Sequence, residues 1–244
     1  MKVRAFICIF IHCFIFTLFQ GNTLQAQNGS KQIQTLITQI KEQLEKDRDK
    51  FPELIQELEA SIPSYSDSIE VAILHSMIAE MYDQYFDRNR YTISRRSELK
   101  DYIPSDIREW SANLFEDKIK QTLELSLQPA HLLQQTPLNR YNLILEKGKD
   151  TPLLRPTLYD FLVHRAIEIN PSIQWYDEWL TFRRSQPERQ ALLFAELAYW
   201  EFSHNHEIIP TENYRQKLDS LFTQYKEEPY VAEVHIHQLQ LLKQ

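Results

Sequence analysis

Leu154-Arg-Pro-Thr-Leu-Tyr-Asp-Phe-Leu-Val-His-Arg-Ala-Ile167 is the stretch whose spacing decides the fold. Proline is tolerated in the first turn of a helix, where its missing N–H would have no intrahelical partner. After Pro156, Leu158, Phe161, Leu162 and Ile169 return to one side at the helical period, with Ala166 beside them. The spacing predicts an amphipathic helix over 156–169. The run Ala72-Ile-Leu-His-Ser-Met-Ile-Ala-Glu-Met-Tyr82 behaves the same way, with Val71, Leu74, Ile78, Tyr82 and Phe86 as its inward face.

Outward from these two segments, the chain reads as helix throughout. It has only 3 glycines in 244 residues, too few for a turn-rich β fold or a glycine-rich phosphate loop. The 11 prolines act as punctuation. Asp67-Ser-Ile-Glu70 and Ser185-Gln-Pro-Glu188 each place an acceptor three residues before a glutamate, a helix-start pattern, and Thr136-Pro137 and Arg155-Pro156 read as two more starts. Helices are expected near 31–49, 52–61, 67–89, 111–127, 137–146, 156–169, 187–204, 211–227 and 229–243, with 90–110 irregular around an inward Trp110. Short connections between them imply an all-α fold of antiparallel hairpins in a solenoid-like or bundle arrangement. The helical domain spans 27–244, with 27–150 and 151–244 as its subregions.

Residues 1–26 read as a cleaved export signal: Lys2 and Arg4 before an apolar run from Ala5 to Phe19, then Gln25-Ala26. The run is shorter than the roughly twenty residues of a spanning helix, so no membrane span is expected after cleavage. Both cysteines, Cys8 and Cys13, lie in that signal, and no small residue precedes either as lipid attachment requires. A periplasmic or secreted chain without disulfides, thiol chemistry or a bound cofactor follows. With 34 acidic residues against 27 basic ones the net charge is −7, which opposes nucleic acid as a partner.

Few residues carry recognisable chemistry. Zinc-protease, nucleophile-elbow, Walker, dinucleotide and calcium-loop patterns are absent from the sequence, and no catalytic residue is assigned. His75 falls on an apolar face, either as a proton carrier or ligand or as a hydrogen-bonded core histidine. Arg165 also falls on an apolar face. It takes a carboxylate on a neighbouring helix, or its stem packs inward while its head reaches water. Asp160, His164 and Glu168 share one stripe at four-residue intervals, as metal ligands or as a solvated face. Glu80, Asp83, Gln84 and Asp87 read as a second solvated stripe. The strongest metal candidate is Glu201, His204, His206 and Glu207, against the alternative of a polar helix end. Trp175, Tyr176 and Trp179 read as exposed aromatics of the kind that stack on sugars.

Three ordered segments carry a resemblance: Ile73 to Tyr82, Leu132-Leu-Gln-Gln-Thr-Pro137, and Leu154 to Ala166. Together they resemble the N-terminal helical region of large bacterial alpha-2-macroglobulin-family proteins, over roughly residues 67–170. The resemblance implies a helical lead-in to a protease-trapping protein, present as a truncated frame or a stand-alone derivative. The amphipathic pattern running to Gln244 fits truncation. Family members continue into β-sandwich domains, a bait segment and, in many, a Gly-Cys-x-Glu-Gln thioester. This chain has no thioester residue to match. The expectation is an exported, non-enzymatic module that packs against or recruits another protein. The alternatives are a metal-dependent helical enzyme using Glu201, His204, His206 and Glu207, and a surface glycan-binding helical protein.

Overall fold

The computed structural model describes residues 24–97, 102–145 and 151–242. The charged and apolar parts of the expected export signal, with Cys8 and Cys13, lie outside those residues. The described chain is all-α and divides into two compact units: Met1–Gly148 with Thr157–Asn170, and Lys149–Pro156 with Pro171–Gln244. The helix read at 156–169 therefore belongs with the earlier part of the chain, whereas a division at 150 puts it with the later part.

The first unit contains α1 (Leu24–Lys46), α2 (Phe51–Ser61), α3 (Ser68–Ile93), α4 (Ala112–Ser126), α5 (Ala130–Gln135) and α7 (Leu158–Ile169). Its axis is α3, against which α1, α2, α4 and α7 all pack. Ala72, Ile73, Leu74, Met77, Ile78, Ala79, Tyr82 and Phe86 are all buried, so α3 is covered on most sides rather than along one stripe. The helix starts at Asp67, whose carboxylate accepts from the Ile69 N–H at 2.8 Å. Along α1, Ile33, Ile37 and Ile40 are buried, the i, i+4, i+7 signature of one packed face. Tyr82 stacks on Trp110 with ring centroids 5.6 Å apart. Phe86 stacks on Phe115 at 5.6 Å, fixing α3 to α4 and the segment before it.

The second unit contains α6 (Thr151–Leu154), α8 (Ile173–Arg184), α9 (Arg189–Asn205), α10 (Thr211–Gln224) and α11 (Val231–Leu241). Neighbours in sequence pack together, α8 on α9, α9 on α10 and α10 on α11. Leu193, Leu197, Tyr214, Leu218, Leu221, Tyr225, Val234 and Leu241 make its core.

Several sequence expectations are corrected. The helix expected at 137–146 is a single 3-10 turn, Leu138–Tyr141, and the helix there is α5, just before it. Thr136 ends α5 rather than starting a helix: its carbonyl accepts from the Leu158 N–H at 2.8 Å, and Pro137, extended, bridges to Thr157. Ser185 is likewise an end, not a start, because its hydroxyl donates to the Phe182 carbonyl at 2.7 Å, while α9 begins at Arg189 with Glu188 as the residue before it. The helix α8 was not expected. Its Trp175, Tyr176, Trp179, Leu180 and Arg183 recur at helical spacing and are all buried, so the aromatics read as exposed are core.

Candidate functional site

Three polar constellations gather the residues that carry chemistry, and each joins different helices. The first links α3 to α7. The Arg165 guanidinium donates to Glu80 Oε2, and both side chains are only 12% exposed. Arg165 also lies 3.7 Å from Glu168, and His164 Nδ1 lies 3.5 Å from the same carboxylate. Of the two readings of Arg165, the specific carboxylate partner is the one observed. Glu80 is accordingly not part of a solvated stripe. Burial lifts its carboxyl above the usual range, partly offset by Arg165 and by a hydrogen bond with Gln84.

Asp160 is also corrected. It is fully buried, and its Oδ2 accepts from the Thr157 N–H at 3.0 Å and the Thr157 hydroxyl at 2.7 Å. The Asp160 N–H returns to Thr157 Oγ1, closing a capping box. Asp160 thus spends its lone pairs on starting α7. It does not join His164 and Glu168 as a ligand.

The second constellation lies between α2, α3 and α4. Tyr82 donates to Glu59 Oε2 at 2.8 Å, and Lys118 donates to Glu59 Oε1. His75 lies half-buried two turns before Tyr82 on α3 and feels the charges of Glu59 and Lys118. Burial holds its imidazole below the ordinary histidine range, Glu59 opposes that and Lys118 adds to it. Burial, then Glu59, pushes the Tyr82 phenol far up, so it is a hydrogen-bond donor and no base. The arrangement neutralises one carboxylate with one ammonium and one phenol, which is what a packed helix interface requires of a polar group.

The third constellation is the C-terminal end of α9, where the metal site was expected. His204 Nε2 lies 3.2 Å from Thr211 Oγ1, and its ring stacks on Tyr214 at 4.6 Å. His206 turns back, with Nδ1 3.0 Å from the Phe202 carbonyl and its ring 4.0 Å from that of Phe202. Glu207 has φ of 57°, the left-handed region. Its N–H donates to the His204 carbonyl and the Ile208 N–H to the Ser203 carbonyl, the paired bonds of a Schellman helix end. Glu207 therefore terminates α9 in a position glycine usually occupies. Tyr214, buried beneath His204, hydrogen-bonds His237 Nδ1 at 2.9 Å. Among the described residues no three His, Cys, Asp or Glu side chains gather to hold a metal ion, and Glu201, His204, His206 and Glu207 do not converge.

Sequence reasoning missed Arg183. It is completely buried, with its guanidinium 3.2 Å from Glu188 and 4.2 Å from the Phe182 ring. The signal was its place four residues after Trp179 and eight after Trp175, on the helix face that α8 buries. Likewise unforeseen was the outer face of α11. Val234 and Leu241 pack inward, while Ile236, Leu239 and Leu242 are 44%, 46% and 76% exposed. Comparison with known protein families, characterised proteins and solved structures found no match for the chain.

Proposed function

We propose that this chain is an exported, non-enzymatic helical module whose successive hairpins stack in a solenoid-like or bundle arrangement and whose last helix binds another protein. The single observation that supports this most is the double-sided apolar character of α11. Its inward residues, Val234 and Leu241, already satisfy the core. Ile236, Leu239 and Leu242, with Phe222 of α10 39% exposed, remain on the surface. An exposed apolar face of this kind marks an interaction site. The resemblance of residues 67–170 to the helical lead-in of alpha-2-macroglobulin-like proteins fits a module that works within such an assembly.

The polar groups support the non-enzymatic half of the reading. Arg165, Glu80, Glu59, Lys118, Asp160 and Arg183 are each engaged in holding one helix to another or in starting one. The glycan reading rested on Trp175, Tyr176 and Trp179, which are buried. The metal reading rested on four residues that do not converge.

The test is a photo-crosslinker placed at Leu239 in the producing cell. A discrete protein adduct is expected in the envelope fraction, and Ile236→Asp with Leu239→Asp should abolish it while leaving helicity intact. Retention of the chain in the cytoplasm, or the absence of any adduct, would refute the proposal.

A further inference from the structure

A histidine stands inside the apolar face of α11. Ala232, His235, Ile236 and Leu239 are exposed on that helix, and their spacing of three and four residues puts them on one side. Leu242 follows just after its end. The His235 ring lies 5.8 Å from that of Phe222 on α10 and one turn before Leu239, so the imidazole joins the exposed apolar group of one helix to those of the other.

What lies behind His235 specifies where its hydrogen sits. Gln238 donates through Nε2 to Asp219 Oδ1 on α10 at 2.7 Å. A carboxylate only accepts, so the Gln238 amide nitrogen faces Asp219 and its oxygen is left for His235, whose Nδ1 lies 3.2 Å away. A ring nitrogen that meets an amide oxygen carries the hydrogen, and in the neutral imidazole the other nitrogen, Nε2, is then a bare acceptor. Among the described residues no hydrogen bond engages that Nε2.

The charges nearby are already matched or stand off. On α10, Arg215 shares the side of Asp219 and Phe222 and is paired with Glu212 at 3.5 Å. Lys226, just past α10, lies 3.8 Å from Glu227. On α11, Glu233 is half-buried and lies off the side of His235, while His237 is bound to Tyr214 at 2.9 Å. Lys243 lies outside the described residues. Asp219 reaches His235 only through Gln238, and among the described residues no carboxylate touches the imidazole directly.

We propose that His235 makes docking on α11 conditional on pH. The partner binds the neutral imidazole, laying an apolar surface on Phe222, Ile236 and Leu239 and one N–H or O–H donor on Nε2, and it is released when His235 takes up a proton. This switch presupposes that α11 is the binding helix. Protonation puts a hydrogen on Nε2, so an acceptor becomes a donor and meets the partner's donor. It also places a positive charge in a face that the partner desolvates, with no carboxylate in contact to neutralise it. In the free chain the same proton breaks no hydrogen bond, because Nδ1–H still donates to Gln238 and His235 is exposed. Docking and protonation therefore oppose each other, and each pH unit below the histidine range lowers apparent affinity by up to about tenfold.

The photo-crosslinker at Leu239 tests this in the producing cell, with the medium held at about pH 7.5 or about pH 5.5. Adduct yield is expected to fall about tenfold at the lower pH, the loss that follows when one histidine must be neutral. His235→Gln, which stays uncharged and keeps an acceptor, should give equal yield at both, and His235→Lys should give little at either. Circular dichroism at both pH values checks that the variants stay folded. Heteronuclear NMR of the free chain near about pH 8 tests the tautomer without a partner: the His235 signal, assigned by its loss in His235→Gln, should show hydrogen on Nδ1 and none on Nε2. Equal wild-type yield at both pH values, a pH dependence that survives in His235→Gln, or hydrogen on Nε2 in the neutral ring would each overturn the proposal. No adduct at either pH would refute the binding role of α11 itself, and the switch with it.

Discussion

Severing the Glu80–Arg165 pair is expected to destabilise the first unit asymmetrically. Both side chains are 12% exposed, so neither charge can be rehydrated without opening the α3–α7 contact. Removing one member of such a pair typically costs about 3–5 kcal/mol, because the other is left charged and desolvated. The structure lowers that figure on one side. In Glu80→Met, Arg165 still has Glu168 at 3.7 Å, and its long stem can carry the head toward water, so about 2 kcal/mol is expected. In Arg165→Met, Glu80 keeps only Gln84 as a hydrogen-bond partner, and about 3 kcal/mol is expected. The double Met variant replaces the pair by apolar volume and should lie within about 1 kcal/mol of wild type. The coupling energy is then large, on the order of 5 kcal/mol.

The pH dependence sharpens this. Glu80 already titrates above the usual range because it is buried, and Arg165 works against that rise. Without Arg165 its folded-state pKa climbs further. A carboxyl whose pKa is raised on folding contributes most at low pH and loses that contribution as pH rises from the unfolded value through the folded one. The defect of Arg165→Met should therefore be small near pH 4.5 and fully developed above neutrality, while that of Glu80→Met should shrink as pH rises, because wild type loses the contribution of its raised carboxyl and the variant has none to lose. Urea unfolding followed by circular dichroism gives the energies, and hydrogen exchange of peptides from α3 and α7 assigns them to this unit. Additive single effects, or an Arg165→Met defect that is independent of pH, would show that the pair is a surface contact with no energetic role.

Three further perturbations test other parts of the structure. Glu207→Gly should raise stability by roughly 0.5–1 kcal/mol by removing a side chain from the left-handed position, whereas Glu207→Val should lower it; thermal melts distinguish these outcomes. Leu218→Ala, which empties part of a fully buried site between α9, α10 and α11, should cost about 3 kcal/mol in urea unfolding of the second unit. For His75, burial holds the folded-state pKa below 6.5, so its contribution is fully present above that value and is lost as pH falls toward the folded pKa. Wild type should thus lose stability relative to His75→Gln between about pH 7 and 5, and parallel stability curves for the two would contradict the burial argument.

How far the sequence alone could be read depended on what each residue packs against. Helix existence was legible wherever one apolar stripe met a capping residue, as at Asp67 and in the segment behind Pro156. It failed where two signals competed. Trp175, Tyr176 and Trp179 have the spacing of a buried face, but their size and polar handles also suit a surface, and only a partner helix decides between the two. Thr136-Pro137 has the chemistry of a helix start, yet the Thr136 carbonyl finds the Leu158 N–H at 2.8 Å, a bond between residues 22 positions apart that no local rule anticipates. Sites suffered more than helices for the same reason. That Arg165 lies on an apolar face is visible in one helix, and so is its need for a carboxylate. That the carboxylate is Glu80, otherwise one member of a polar stripe, is a fact about how α3 meets α7.

The same asymmetry bears on function. Within a single helix, Glu201, His204, His206 and Glu207 have the composition of a metal site, and the residues that dissolve it are Thr211, Phe202 and the backbone of α9 itself. His206 is committed to the Phe202 carbonyl and ring, His204 to Tyr214 and Thr211, and Glu207 to ending the helix. A metal ligand must be able to present a lone pair toward a shared point, and each of these side chains is already oriented elsewhere by the contact that stabilises it. Conversely, Ile236 and Leu239 on α11, with Leu242 just after it, are among the apolar side chains left exposed. Groups that the fold does not use are where a partner can gain free energy without first breaking an internal contact, and the proposed function of this chain rests on such groups rather than on its titratable ones.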